Sequence, residues 1–456
     1  MNPPQGAAPG DGLSAAGRWG ARLGAALLGC FWLLAGCSDG LIEEKKPVAL
    51  ILWHVYGAQT DSPMNRLVAR FNETVGREKG IVVNVGSLSN SADIHFALVA
   101  AARRYPGAGE LPDLFVAYPK TALAIGAERL ADWKAHFSAD ALREFVPSFV
   151  EEGYVAGRLV LLPIAKSSSA LFINAMIFER FSKETGIGYE DLDTWEGVFR
   201  AARRYRQWSG GKAFFKHDDW LHYSMLNTAA LGGVFFRDGQ IDFDDTAFRA
   251  VWGRLAASAL AGDVSLLGGY STTAMMTGEA VCGVGSTASV LYFKDHVTFP
   301  DNTTSPLRLK ILPVPHFREG ARLAIQRGGG LALAKSTPEK ERAAAAFAEW
   351  LTAVENNVSF VAETGYFPVR TAAYRDFLEK GDALFPAGGK YRELFEAIRK
   401  IHADDTFFIP PFFEGYGELE KKFSDAQTEL FKKYRGRADA PGVDALLSEL
   451  EAAVRR

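Results

Sequence analysis

Apolar positions along this chain alternate between short continuous runs and longer runs of helical spacing. Val48 to Trp53 is continuously apolar and predicts a strand buried on both faces. Pro63 to Val75 follows, with Leu67, Val68 and Phe71 on one helical face, and Gly80 closes that region before a second strand, Ile81 to Val85. Asp93 to Arg104 is again helical by spacing (Ile94, Leu98, Ala101), and Pro112 to Tyr118 is a third strand. Strand, helix, strand, helix, strand predicts a parallel sheet with right-handed crossovers.

The pattern then repeats with other residues. Leu161 to Ile164 and Ala170 to Asn174 are strand-like and are separated by the polar segment Lys166 to Ser169. Asp193 or Thr194 is placed to cap a helix with Trp195, Val198, Phe199 and Ala202 on one side. Met276 to Glu279 leads into a strand, Ala280 to Gly285, and Leu309 to Pro313 is another. The chain returns through Gly328-Gly329-Gly330 into Leu331 to Ala334, and Ser336 with Glu339 has capping-box spacing for a helix from Pro338 to Leu351. Lys390 to Arg456 reads as almost wholly helical, and no tandem repeat or low-complexity tract is present.

The first 36 residues follow a different pattern. Arg18 and Arg22 precede an apolar run, Leu23 to Leu34, that ends in Leu34-Ala35-Gly36-Cys37. Positive residues, a short apolar core and small residues at the end describe an export signal rather than a membrane span. The cysteine after them resembles a bacterial lipobox. That resemblance implies a signal peptide over residues 1–36, acylation of Cys37, and an anchor and tether over 37–47. Removing 1–36 takes away Arg18, Arg22 and Asp11, which moves the formal net charge from −3 to −4. So small a charge gives no electrostatic case for nucleic acid. Cys282 is then the sole remaining thiol, so no intramolecular disulfide forms. The remaining ~420 residues, at roughly 100–200 per domain, suggest two domains.

Enzyme motifs are missing: no phosphate loop, no dinucleotide-binding glycine pattern, no nucleophile elbow, and no histidine pair at zinc spacing. No catalytic, metal or cofactor residue is therefore assigned. Asp238 to Asp245 superficially resembles a calcium loop but lacks glycine at the sixth loop position, and reads as a turn, an edge strand and an N-cap for a helix from Thr246 to Leu255. Glu151-Glu152 reads as a solvated pair. Serine-rich loops stand at predicted strand ends: Ser87 to Ser91, Ser167 to Ser169, and Ser286 to Ser289. In open sheets ligands bind at such ends. Among the aromatics (Trp53, Trp208, Trp220, Tyr223, Tyr366, Tyr416), Trp220 is the best stacking candidate because Lys216-His217-Asp218-Asp219 beside it suggests a loop. His54 reads as a satisfied strand-end histidine.

Taken in order and spacing, several segments resemble the large sugar- and polyol-type extracellular solute-binding proteins that feed ABC importers. They are Trp53-His54, Phe71-Asn72-Glu73, Pro112-Asp113-Leu114, Leu162-Pro163-Ile164 with Leu171 to Asn174, Thr194-Trp195-Glu196, Met276 to Ala280, and Thr364 to Val369. Trp53-His54 and Thr364-Gly365-Tyr366-Phe367-Pro368 bring it nearest to the glycerol-3-phosphate and glycerophosphodiester branch. The resemblance implies a two-lobed α/β periplasmic-binding-protein fold, each lobe a mainly parallel sheet flanked by helices, with a ligand cleft at the hinge. One lobe would take 48–164 plus 323–366 and the other 165–322 plus 367–456, with crossovers near 165, 322 and 367. It implies ligand contacts from Asp93, Ser167, Ser168, Trp220, Ser286, Ser289, Gly328 and Tyr366. Pro119 replaces that branch's acidic residue after the third strand, and Phe412 to Tyr416 stands where it carries an arginine, which removes a phosphate clamp. Expected partners are a small solute (sugar, polyol phosphate or glycerophosphodiester), importer permease subunits, and a membrane reached through the lipid. The chain is expected to be a monomer, exported and facing the periplasm or cell exterior. The alternatives are an extracytoplasmic hydrolase of glycerophosphodiesters or glycosides, and a surface interaction lipoprotein without a ligand.

Overall fold

Nine strands carry the architecture: β1 (Val48–His54), β2 (Ile81–Ser87), β3 (Leu114–Ala117), β4 (Leu162–Pro163), β5 (Ser169–Asn174), β6 (Phe215–His217), β7 (Cys282–Ser286), β8 (Leu309–Pro313) and β9 (Gly330–Leu333). This computed structural model describes residues 46–57, 61–88, 90–266, 268–385 and 387–456. The export signal, Cys37 and most of the tether lie outside the described residues.

The first sheet has the order β2-β1-β3-β9-β4 and the second β8-β5-β7-β6. β1 runs parallel to β2 and β3, with Val48 opposite Ile81 and Leu52 opposite Leu114, while β9 is antiparallel to β3 and β4. In the second sheet β5 is antiparallel to β7 and β8, and β7 is parallel to β6. Each sheet therefore has one common direction and one reversed strand. The reversed strands, β5 and β9, are those the chain enters on crossing from the other sheet. The crossing from β4 to β5 takes only Ile164 to Ser168, and the one from β8 to β9 runs through the short strand Leu323–Ile325 without a helix.

Burial on both faces describes β3, whose four residues are all buried, but not β1. There Leu50, Leu52 and His54 face the core while Ile51 on the other face is 49% exposed. The reason is coverage. Ile94 and Leu98 of the helix Ser91–Ala102 pack over Phe115, Ala117 and Trp53, at the carboxyl end of the sheet. Around the second sheet Phe178, Trp195, Phe215, Trp252 and Phe431 form a separate aromatic core.

Helix ends follow their capping chemistry. Thr194 Oγ1 accepts the Gly197 amide, as spacing predicts. Thr337 rather than Ser336 caps the helix Pro338–Thr352, because its Oγ1 accepts from Lys340, and the Ser336 amide donates instead to Glu341. The acidic stretch is a hairpin turning at Asp238-Gly239, and Asp245 caps the helix Thr246–Ala261, which runs past the expected Leu255. The tail is three helices, Lys390–Asp404, Tyr416–Tyr434 and Val443–Arg455, joined by loops and by the strand Thr406–Phe408, which pairs parallel with Leu323–Ile325. Among the described residues no helix is long and apolar enough to cross a membrane.

Backbone bridges tie the crossing segments together. Lys166 pairs with Phe367, and Ser167 with Arg327. Gly328 has φ +96°, and a Cβ there would lie 2.6 Å from the Ala165 carbonyl oxygen, so only glycine fits without strain. Beneath this knot Lys166 Nζ sits 2.8 Å from Glu152 Oε2 and donates to the Gly328 carbonyl at 2.7 Å. Gln326 Nε2 donates to Ser148 O at 3.1 Å and to Glu152. Glu152 is thus a buried, paired carboxylate and not the solvated one its neighbour Glu151 suggested, because its partner arrives from the crossing.

Candidate functional site

Three segments converge where the sheets meet. Tyr118 follows β3 and stands ahead of the helix Pro119–Ile125, and Pro119 at its first position supplies a preset φ. β6 ends in His217, and Asp218 and Asp219 follow before the helix Trp220–Ala230. The third segment carries Arg327, at the crossing.

Local hydrogen bonds fix each group. Asp219 Oδ1 accepts the His222 amide at 2.9 Å, the Asp219 amide donates to His217 Nδ1 at 3.0 Å, and His222 Nδ1 lies 2.7 Å from Asp219 Oδ2. Asp218 Oδ1 accepts the Ser271 amide at 2.5 Å. A Cβ on Gly285 would come within 2.5 Å of Asp218 Oδ2, 3.2 Å of Ser289 Oγ and 3.3 Å of Ser271 Oγ, so these polar groups converge on bare backbone. Arg327 exchanges backbone hydrogen bonds with Ser167 at 2.8 and 2.9 Å, and its Nη1 donates to Ser169 Oγ at 3.3 Å.

One guanidinium lies within electrostatic reach of several carboxylates. Burial opposes the charge on Arg327, but Asp219, Tyr118, Asp218 and Glu420 raise its pKa above the ordinary value. Burial pushes the Asp218 carboxyl up, checked by Ser271 and Arg327. Burial acts the same way on Asp219, yet His222 and Arg327 outweigh it and hold that carboxyl well below its usual range. Burial also lowers His217 to about 3, keeping it neutral.

Tyrosines complete the lining. Tyr366 packs edge-on against Tyr56 at 5.1 Å and lies within electrostatic reach of Tyr118, Tyr292 and Arg327. Tyr270 is within reach of Asp218, Arg327, Tyr118 and Asp93. Burial raises the pKa of each, so their hydroxyls stay neutral donors and acceptors. Two contacts span the cleft: the Tyr292 hydroxyl donates to Val55 O at 3.4 Å, and Lys120 pairs with Glu420.

The expected contact residues are distributed unevenly over this arrangement. Ser167 Oγ accepts from Ser286 Oγ at 3.3 Å, so two of the three serine loops meet. Ser289 is half-buried beside Asp218, and Tyr366 lies in the tyrosine lining. Asp93 is exposed in the first turn of its helix, accepting from Asn90 Nδ2 at 2.8 Å. Gly328 contributes through its backbone, which hydrogen-bonds the Tyr118 hydroxyl. Ser168 is turned away, wholly buried, donating to Ile325 O at 2.9 Å. Trp220, 6% exposed, packs on His217 at 5.3 Å and presents little of its face. The Ser87 loop serves His54, whose Nε2 lies 2.8 Å from Asn65 Oδ1 and 3.3 Å from Ser87 Oγ.

Sequence reasoning passed over Arg327, Asp218, Tyr118 and Tyr270. Arg327 adjoins Gly328, and the acids adjoin Trp220, so the signal was charge beside positions already singled out. Asp219, His222 and Glu420 also gather at one edge of the cleft, a cluster that no local spacing announced.

Residues 66–387 match the sequence profile of the family described as bacterial extracellular solute-binding protein. A comparison with curated protein sequences gives no match. Among solved structures, the cyclic α-maltosyl-1,6-maltose binding protein of Arthrobacter globiformis is 17% identical with a TM-score of 0.65, over 90% of this chain and 98% of that one. UgpB of Mycobacterium tuberculosis, in complex with glycerophosphocholine, is 16% identical at TM-score 0.67, over 90% and 97%. The ABC substrate-binding protein of Listeria monocytogenes in complex with cycloalternan is 13% identical at TM-score 0.69, over 90% and 98%. At these identities the likeness shows the two-lobed periplasmic-binding-protein fold.

Proposed function

Because this chain belongs to the bacterial extracellular solute-binding protein family, we propose that it captures a carbohydrate between two lobes and delivers it to an ABC importer. The lobes are assigned as 48–164 plus 323–366 and 165–322 plus 367–456, pivoting on the knot at Lys166, Arg327 and Phe367. Lipid on Cys37 holds the receptor at the membrane.

The observation that carries the ligand class is that Asp218 and Asp219 lie within electrostatic reach of Arg327. A guanidinium already matched by carboxylates binds hydroxyls well and a phosphate dianion poorly, because unit charges ~4 Å apart repel by roughly 4 kcal/mol at an effective dielectric near 20. Ser289, Ser286 and the tyrosine hydroxyls supply further neutral partners. A ligand that touches both lobes favours their closure through its differential affinity for the closed state.

A second reading is a zwitterionic glycerophosphodiester. Arg327 suits its single phosphate charge, and the tyrosine faces with Asp218 suit a quaternary ammonium. Calorimetric titration with maltooligosaccharides, glycerophosphocholine and glycerol-3-phosphate separates the readings. Binding of an oligosaccharide supports the first; tight binding of glycerol-3-phosphate alone overturns both.

A further inference from the structure

Asp219, His222 and Glu420 each place one ligand atom within 4.8 Å of the others. We propose that these three side chains form a binding site for a divalent first-row cation of the zinc class, open to the metal when Lys120 withdraws. One imidazole and two carboxylates are a donor set that zinc accepts, with water completing the tetrahedron.

The site is built within one lobe. Asp219 caps the helix Trp220–Ala230 and His222 lies in its first turn, while Glu420 projects from the helix Tyr416–Tyr434. Trp220 and Leu221 share their core with Tyr416 and Phe423, around the second sheet. Lys120 comes from elsewhere: its helix, Pro119–Ile125, packs Ala122 and Ile125 over the first sheet. In the structure its ammonium rests on Glu420 and fills the cation's electrostatic role. Parting the lobes removes Lys120 and leaves the three donors together.

Tyr416 gives an independent sign. It is 1% exposed, and its hydroxyl makes no hydrogen bond. It stands one helical turn before Glu420, within electrostatic reach of both Glu420 and Asp219. A buried hydroxyl left unpaired is destabilising. Water on a bound cation would satisfy it. The three ligand side chains keep 14–21% of their surface, so the donors are not sealed from solvent.

This inference rests on the lobe motion proposed above, and it makes cation and closure compete. Titration of the full-length chain with zinc chloride should show saturable binding. His222→Ala and Glu420→Gln should each weaken it roughly tenfold or more, the scale of a lost metal contact. Lys120→Met should tighten it by removing the competitor. No saturable binding, binding indifferent to both ligand substitutions, or weaker binding in Lys120→Met overturns the site. Melting curves verify folding, and the isosteric Glu420→Gln decides the question if His222→Ala does not fold. Oligosaccharide is titrated in parallel. Zinc binding without any sugar binding sinks the capture reading and leaves the cation site, whereas sugar binding without zinc sinks the cation site alone.

Discussion

His54 has no solvent contact and sits between Asn65, Ser87 and the Tyr56 amide, and burial lowers its pKa to about 4. An unfolded chain returns it to the ordinary 6.5, so on acidification the unfolded state takes up the proton first. Stability from this group is therefore complete above pH 6.5 and lost as pH falls towards 4, a difference of about 3 kcal/mol. His217, lowered to about 3, acts in the same direction. Melting temperature followed on acidification should drop steeply in the wild type and less in His54→Gln; equal slopes would refute this. Arg327→Met should weaken ligand binding by roughly ten- to a hundredfold, measured by calorimetry, since a charge-assisted hydrogen bond contributes about 1.5–3 kcal/mol. Its fold should persist, because both bonds from Arg327 to Ser167 use backbone atoms. Much of the site's polarity was legible as serines and aromatics. Arg327 was not, since a lone charge in a loop has no period to mark it, and Trp220 was overvalued because sequence does not say which face of a ring is covered.

Elements were read well where an apolar run met a cap. β1, β2, β3 and the helix opened by Thr194 all follow from local letters. Strand direction did not, because a two-residue alternation is the same in both senses, and so β5 and β9 read as members of parallel sheets. Glu152 was misjudged for a related reason: its partner Lys166 is adjacent only after the chain crosses between sheets. That pair is testable. Lys166→Met strands a buried carboxylate and should cost about 3–5 kcal/mol in urea unfolding, while adding Glu152→Gln should recover much of the loss. Additive losses in the double variant would show that the two residues do not act as a pair.

For the whole molecule, capture by closure predicts that a saturating oligosaccharide reduces the radius of gyration in solution scattering. An unchanged radius with tight binding would mean that the lobes do not move. The proposed lipid anchor predicts its own result: Cys37→Ala should shift the protein from the membrane fraction to the soluble one, read by fractionation. The two reversed strands carry a consequence for how the molecule is made. β3 ends at Ala117, but the strand that covers its free edge begins at Gly330. A nascent chain thus holds an unfinished first sheet until most of its length has emerged, and closing so long a loop delays folding. Late folding keeps the polypeptide threadable. The same topology that we propose hinges the finished receptor would give the unfinished one time to leave the cell.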